Sequence, residues 1–376
     1  MVTVREVLTK KDLKQFVTFP LTLYKDCPYF VPPLLSDDYS DWDRKKNPAF
    51  SYVEAKCFLA ERDGKVVGRI GAILSHRSNE RWQTNRMRFT QVDFIDDKEV
   101  SRALFDAVEA YAKEKECVEI HGPLGFSDLD REGMLVEGFE ERSLFYTYYN
   151  YPYYLEHMKA LGYEKDVDWL EYKIFCPPEG SRQAEFLHRL SMHSLKRNHL
   201  HIATVKHQKD FKPYIEQAFR LVNVAYGELY SVVELDEEQI RRYADKFVPL
   251  IDPDFACVVL DEKNEVVAFG ATAPDLSRAF RSCGGKLFPF GFIPVLHALK
   301  HNDVLDMFLI AVRPDLQGVG LNGIIIDSVM VNACRRGIKY AETGPELEEN
   351  AKMVTQWSMF DKVQHKRRRC FIKKLN

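Results

Sequence analysis

Three observations predict an α+β fold of two similar domains, each a mixed, mostly antiparallel sheet flanked by helices. Two stretches, 58–74 and 257–273, share the plan of strand, tight turn and second strand, which is the pattern of a β-hairpin. The elements around the two hairpins follow the same order. A chain of 376 residues is also long enough for two domains of ordinary size.

In the first half a strand near 2–7 leads to a helix near 10–18 and then to the hairpin, which turns at Asp63-Gly64. The third strand, MRFTQVDFI (87–95), precedes a helix over 98–116 whose Val100, Leu104, Val108 and Tyr111 keep helical spacing. A short strand CVEIH, a helix over 152–161 and the strand WLEYKIF close this half. CPPEGSRQ (176–183) reads as the linker, because Pro-Pro and Gly break regular structure. The domains are therefore set at 1–176 and 177–376. In the second half HIATVK is the first strand, and helices near 211–226 and 236–247 follow. The second hairpin turns at Glu262-Lys263-Asn264. After an inserted segment come VLDMFLIAV (304–312), a helix from about 320 to 336, IKYAE, a helix near 349–360 and the strand RRRCFIKKL.

Composition excludes several classes. With 45% hydrophobic and 29% charged residues the chain is ordinarily globular, and a net charge of -3 gives no general pull toward nucleic acid. Eight cysteines with no C-x-x-C and no paired spacing argue for reduced thiols rather than a disulfide framework or a zinc site. His193, His199, His201 and His207 crowd one stretch but lack i, i+4 ligand spacing, so no metal is expected. MVTVREVLTKKDLKQF has no apolar signal-peptide core. No apolar stretch reaches the ~18 residues of a spanning helix. A cytoplasmic protein is expected, with peripheral association at the inner membrane face left open. Oligomeric state is not legible.

The stretch AVRPDLQGVGLNG spells G-x-G-x-x-G at Gly318, Gly320 and Gly323, and Glu342 follows where a ribose-binding acid would stand. The context opposes a dinucleotide site. Such a site closes the first strand of a βαβ unit directly with its glycine turn. Here Arg313 to Gln317 intervene after the strand ends near Val312, a hairpin lies upstream, and too little chain follows Gly323. An NAD-dependent oxidoreductase stays as a remote alternative.

A different frame fits better. Gln317-Gly318-Val319-Gly320-Leu321-Asn322, preceded by a strand ending V-x-P, resembles the Q/R-x-x-G-x-G/A signature of the GNAT family of acyl-CoA-dependent N-acyltransferases. Asn322 departs from the pattern, which ends in Gly or Ala. The physical logic survives: backbone amides at a helix N-terminus hold a diphosphate, and glycine lets the backbone approach it. Asn322 is expected to alter cofactor binding rather than abolish it. The element order in both halves is also the GNAT order, so the resemblance covers nearly the whole chain as tandem GNAT domains. KLFPFG, VRPDLQGVGLN and ELEENAKM in the second half, with EGMLVEGFEE and YNYPYYLEHMKALGY in the first, are similar to the YghO-like bacterial group.

That resemblance implies acetyl-CoA or a longer acyl-CoA as co-substrate, no metal, and direct attack of an amine on the thioester in a ternary complex. It implies that Ile310, Ala311 and Val312 offer main-chain groups to the pantetheine arm. It also implies that Asn350 touches the cofactor arm, a residue that reads equally as a helix N-cap. Where the family often has a tyrosine acid, this chain has Trp357, which leaves Tyr340 or a water for that role. For the base, Glu342 at the end of IKYAE is preferred. Asp306, in an otherwise apolar strand where desolvation raises a carboxyl pKa, comes second. The first half carries Asp93, Asp96, Asp97 and Glu99 where a diphosphate needs amides, so it is expected to lack a cofactor loop.

The resemblance further implies a small-molecule or lipid amine as acceptor. KLFPFGFIPVLHALK (286–300) is greasier than a loop normally is. It reads as packing over the core, as the wall of an acyl tunnel, or as a peripheral membrane contact. A non-catalytic acyl-CoA sensor and a long-chain N-acyltransferase of lipid synthesis stand as alternative functions.

Overall fold

The computed structural model describes residues 1–350 and 356–375 and divides into two units. The first comprises Met1–Leu170, Leu276–Val295 and His365–Asn376; the second comprises Glu171–Asp275 and Leu296–Gln364. Two segments from late in the chain, 276–295 and 365–376, thus fold with the first unit.

Along the first half run β1 (Thr3–Glu6), α1 (Lys10–Leu23), α2 (Leu35–Asp41), β2 (Val53–Arg62), β3 (Lys65–Ser75) and α3 (His76–Trp82). They are followed by β4 (Arg86–Phe94), α4 (Lys98–Glu114), β5 (Glu119–Gly122), β6 (Met134–Glu137), α5 (Tyr153–Ala160) and β7 (Glu164–Phe175). Helix α1 starts at Thr9, whose hydroxyl accepts from the Asp12 N–H while the Asp12 carboxylate accepts in return, a capping box. The β2–β3 turn places Asp63 at φ 51 and Gly64 at φ 72, the two left-handed residues of a type I′ hairpin. Strands β1 to β4 are antiparallel, and β4 then pairs in parallel with β5. Helix α4 presses Val100, Leu104 and Val108 into a core shared with Phe89, Phe94 and Ile120.

The second half contains α6 (Arg182–Arg197), β8 (His201–Ile202), α7 (Lys212–Tyr226), α8 (Glu237–Phe247), β9 (Ala256–Leu260) and β10 (Val266–Pro274). Next come α9 (Ser277–Cys283), α10 (Phe292–Lys300), β11 (Val304–Val312), α11 (Leu321–Arg335), β12 (Tyr340–Glu342), β13 (Glu346–Leu347) and β14 (Lys362–Lys374). The second hairpin, β9–β10, continues antiparallel into β11, which pairs in parallel with β12. The last residues of β7 complete this sheet, Lys173 to Phe175 pairing with Glu342 to Tyr340. Of the helix predicted near 349–360, residues 351–355 lie outside the described residues, and Trp357–Met359 form only a 3-10 turn. Helix α6 was not predicted. Ser181 caps it by accepting from the Ala184 N–H, and its Leu187, Ser191 and Ser194 are buried.

The final strand serves the first unit. Residues Phe371–Lys374 of β14 pair with Gly122–Glu119 of β5, and Arg367–Arg369 pair with β6. Asp168 ties this strand down, accepting from Arg367 and Arg369 at 2.7–2.9 Å. Although burial opposes it, these guanidinium bonds hold the Asp168 carboxyl at about 2.

Candidate functional site

The parallel pairing of β11 with β12 covers only Val304–Asp306 against Tyr340–Glu342. Strand β11 then runs on to Val312 while the chain leaves β12 after Glu342, so the sheet of the second unit opens into a wedge. A bulge at Phe308, where Ala271 pairs with Leu309 and Thr272 with Met307, bends β11 as the wedge opens. Met307 to Ile310 are accordingly half-buried in what is otherwise a central strand, and Ala311 and Val312 are buried.

One wall of the wedge leads to the glycine loop. After Val312 the ladder continues by one bond, Arg313 N–H to the Val267 carbonyl at 2.9 Å. Pro314–Leu316 make a single 3-10 turn, and Gln317 to Gly320 are exposed. Gly318 (φ 82) and Gly320 (φ 95) are both left-handed, the conformation that favours glycine. A Cβ at Gly318 would meet nothing within 4 Å, so the loop faces open space. Ser194 of α6 fixes the loop by donating to the Val319 carbonyl at 2.7 Å. Gly320 caps α11, whose first-turn amides have no intrahelical acceptor and present the positive end of the helix dipole. An open turn with two left-handed glycines at a helix N-terminus fits a diphosphate. Asn322 does not reach across it, because its side-chain amide donates to Gln356 at 3.0 Å.

The expected carboxylates meet at the floor of the wedge. Asp306 and Glu342 are register partners on adjacent strands, and both are buried. A carboxylate oxygen of Glu171, also buried, lies within 4.8 Å of one from Glu342. Tyr340 stands at the other end of the pairing, opposite Val304, with its ring beside Phe175. Asn350 donates its backbone N–H to the Leu347 carbonyl at 2.9 Å, and the residues after it lie outside the described part.

Two further groups were not foreseen. Tyr226, the last residue of α7, donates its hydroxyl to the carbonyl of Ile310 at 2.8 Å and so sits on the splayed stretch of β11. Glu346 accepts from the Trp357 indole N–H at 2.9 and 3.3 Å. Burial pushes the Glu346 carboxyl up to about 7, against the pull of the indole and of the Lys362 ammonium. Trp357 thus occupies the expected tyrosine position and holds a titrating acid.

Of the crowded histidines, His199 is 3.8 Å from Glu262, His201 lies 3.2 Å from Asn264, and His207 precedes a short turn that begins at Gln208. In the first unit His121, Asp166 and Cys370 do bring possible ligand atoms within 4.8 Å of one another. Burial there lowers His121 to about 4.

Two units, each a hairpin continued through an antiparallel strand into a parallel partner, define the tandem GNAT fold. A tandem GNAT protein from the clavulanic acid biosynthesis pathway matches with a TM-score of 0.55 at 12% identity, over 100% of this chain and 98% of that one. A GCN5-related N-acetyltransferase from Sphaerobacter thermophilus gives 0.51 at 11% identity, over 99% and 95%. In sequence the chain is similar to protein YghO of Escherichia coli K12, 27% identical over 384 residues, 99% of this chain and 95% of that protein. It is also similar to bacterial ceramide synthase of Caulobacter vibrioides, 26% identical over 301 residues, 78% and 75% of the two chains. No protein-family model matches the chain.

Proposed function

We propose that the chain is an acyl-CoA-dependent N-acyltransferase with its site in the wedge of the second unit. The observation that carries this reading is the open Gly318–Gly320 turn at the N-terminus of α11, which follows the strand that forms one wall of that wedge. In this reading Gly318 to Asn322 hold the diphosphate by backbone amides, and the exposed edge of β11 aligns the pantetheine arm. The thioester supplies the acyl group. The amine nitrogen forms a bond to the carbonyl carbon, and the carbon–sulfur bond breaks. Glu346, titrating near neutrality, takes the proton from nitrogen, and Tyr226 donates one toward the leaving sulfur. Glu342 and Asp306, buried at the floor, position these groups. Positioning both reactants in one cleft supplies much of the acceleration.

A long-chain lipid amine is the acceptor favoured within this reading. Its support is the likeness to a protein named a ceramide synthase, since a ceramide is the N-acyl amide of a long-chain amino alcohol. Acetyl-CoA and palmitoyl-CoA, each offered with a sphingoid base and with small soluble amines, test the proposal by thiol release and amide formation. Equal yields of thiol and amide are expected, highest for the long-chain pair. Acyl-CoA binding without amide formation leaves a sensor, and thermal stabilisation by NAD but not by acyl-CoA overturns the reading.

A further inference from the structure

We infer that the loop joining α9 to α10, with the first turn of α10, docks this protein on an anionic lipid surface. Phe288 is 83% exposed, Phe290 71% and Ile293 54%, so three large apolar side chains stand in water within six residues. Water exposure of this kind is unfavourable unless a partner covers it. Between Asp275 and Asp303 the chain carries no acidic residue, whereas Arg278, Arg281, Lys286 and Lys300 are all cationic. An apolar tip within a purely cationic segment complements a bilayer with anionic headgroups, the tip entering the acyl boundary and the cations meeting phosphate.

The loop is braced to present that tip. Its foot is pinned at Gly285, whose carbonyl accepts from the Leu35 N–H at 3.0 Å, and a Cβ there would fall 2.1 Å from the Pro33 carbonyl oxygen. It closes on itself where Phe292 N–H meets the Leu287 carbonyl at 2.9 Å, and a Cβ on Gly291 would lie 1.8 Å from the Lys286 oxygen. The backbone folds inward at the glycines and leaves the phenylalanines outside. A second copy of the chain fits less well, because a stable dimer buries about 800 Å² per partner, more than the exposed Phe288, Phe290, Phe292, Ile293 and Leu296 side chains offer.

The inference is independent of acyl transfer. Flotation of the full chain with phosphatidylcholine vesicles, with and without phosphatidylglycerol, tests it. The wild type is expected to float with the anionic vesicles and to lose binding as salt rises. Phe288→Ser with Phe290→Ser should lower partitioning about tenfold or more. Lys286→Glu should lower it about fivefold, and only on anionic vesicles. Phe290→Trp should keep binding and have its fluorescence quenched by brominated acyl chains, which shows insertion in a variant that has lost no apolar surface. The idea is overturned if the wild type stays unbound on anionic vesicles or if the double-serine variant floats equally well. It is also overturned if that variant instead dissociates a dimer in the absence of lipid.

Discussion

The same junction, fourth strand to following helix, occurs in both units and is built in opposite ways. In the second unit eight residues separate β11 from α11, with two left-handed glycines and an exposed, open turn. In the first, β4 is followed by α4 after only Ile95 to Asp97, and Asp97 itself caps the helix by accepting from the Glu99 and Val100 amides. Arg62 bridges Asp97 and Glu99 at 2.7 and 2.8 Å; it holds the Asp97 carboxyl below its ordinary range, and the Val2 N–H, more than Arg62, does the same for Glu99.

The strands differ as well. The N–H of Phe94, at the end of β4, donates to the Tyr154 hydroxyl, and its carbonyl accepts from Tyr153. Behind them Asp93 accepts from Arg69 at 2.7 Å and from Tyr24 at 2.8 Å, all three buried. Both units split their sheet after three residues of parallel pairing. One fills the strand edge beyond the split with its own tyrosines and ion pair, and the other leaves an approach to a phosphate-sized turn. A duplicated fold can thus keep its geometry in both copies while polar side chains decide which copy stays open.

Four substitutions break or sharpen that contrast. Glu346→Gln should lower kcat by about two to four orders of magnitude, the range for a removed general base. In the wild type kcat/KM should rise with pH through about 7 as Glu346 deprotonates, and the variant should lose that limb. A pH profile that is unchanged removes Glu346 from the reaction. Arg69→Met leaves Asp93 buried without its partner and should cost about 3–5 kcal/mol by denaturant unfolding. Acyl-CoA affinity measured on the remaining folded protein should not change. Gly320→Val puts a branched side chain at φ 95 and beside Ser194, costing about 1–2 kcal/mol. It should raise the KM for acyl-CoA about tenfold, where a purely structural glycine would alter only the unfolding curve. Asp97→Ala removes the corresponding cap of the first unit and should cost about 1 kcal/mol, with acyl-CoA kinetics untouched.

Much of the fold was legible because it is written locally. Asp63-Gly64 carries the backbone of a type I′ turn, β11 spans the predicted 304–312, and the glycines start α11. Helix α6 escaped because Phe186 and Leu190 stand exposed on it, blurring the apolar stripe. The glycine turn was also readable from a motif, and Asp306 and Glu342 were each placed on a predicted strand, but that the two are register partners was not. Tyr226 and Glu346 were not. Each acquires its meaning from a contact distant in sequence, Tyr226 with the Ile310 carbonyl and Glu346 with the Trp357 indole, and no local pattern encodes such a meeting.

The placement of β14 also bears on how the chain is made. The edge of β5 receives its partner from Phe371–Lys374, and Asp168 receives its arginines from 367 and 369. A ribosome has therefore to synthesise the whole second unit before the first can close its sheet. Until then β5 carries an open edge, which invites pairing with other nascent chains. Polysome crowding and chaperone supply should consequently govern the yield of soluble protein more strongly than they would for two domains each complete in its own stretch of message.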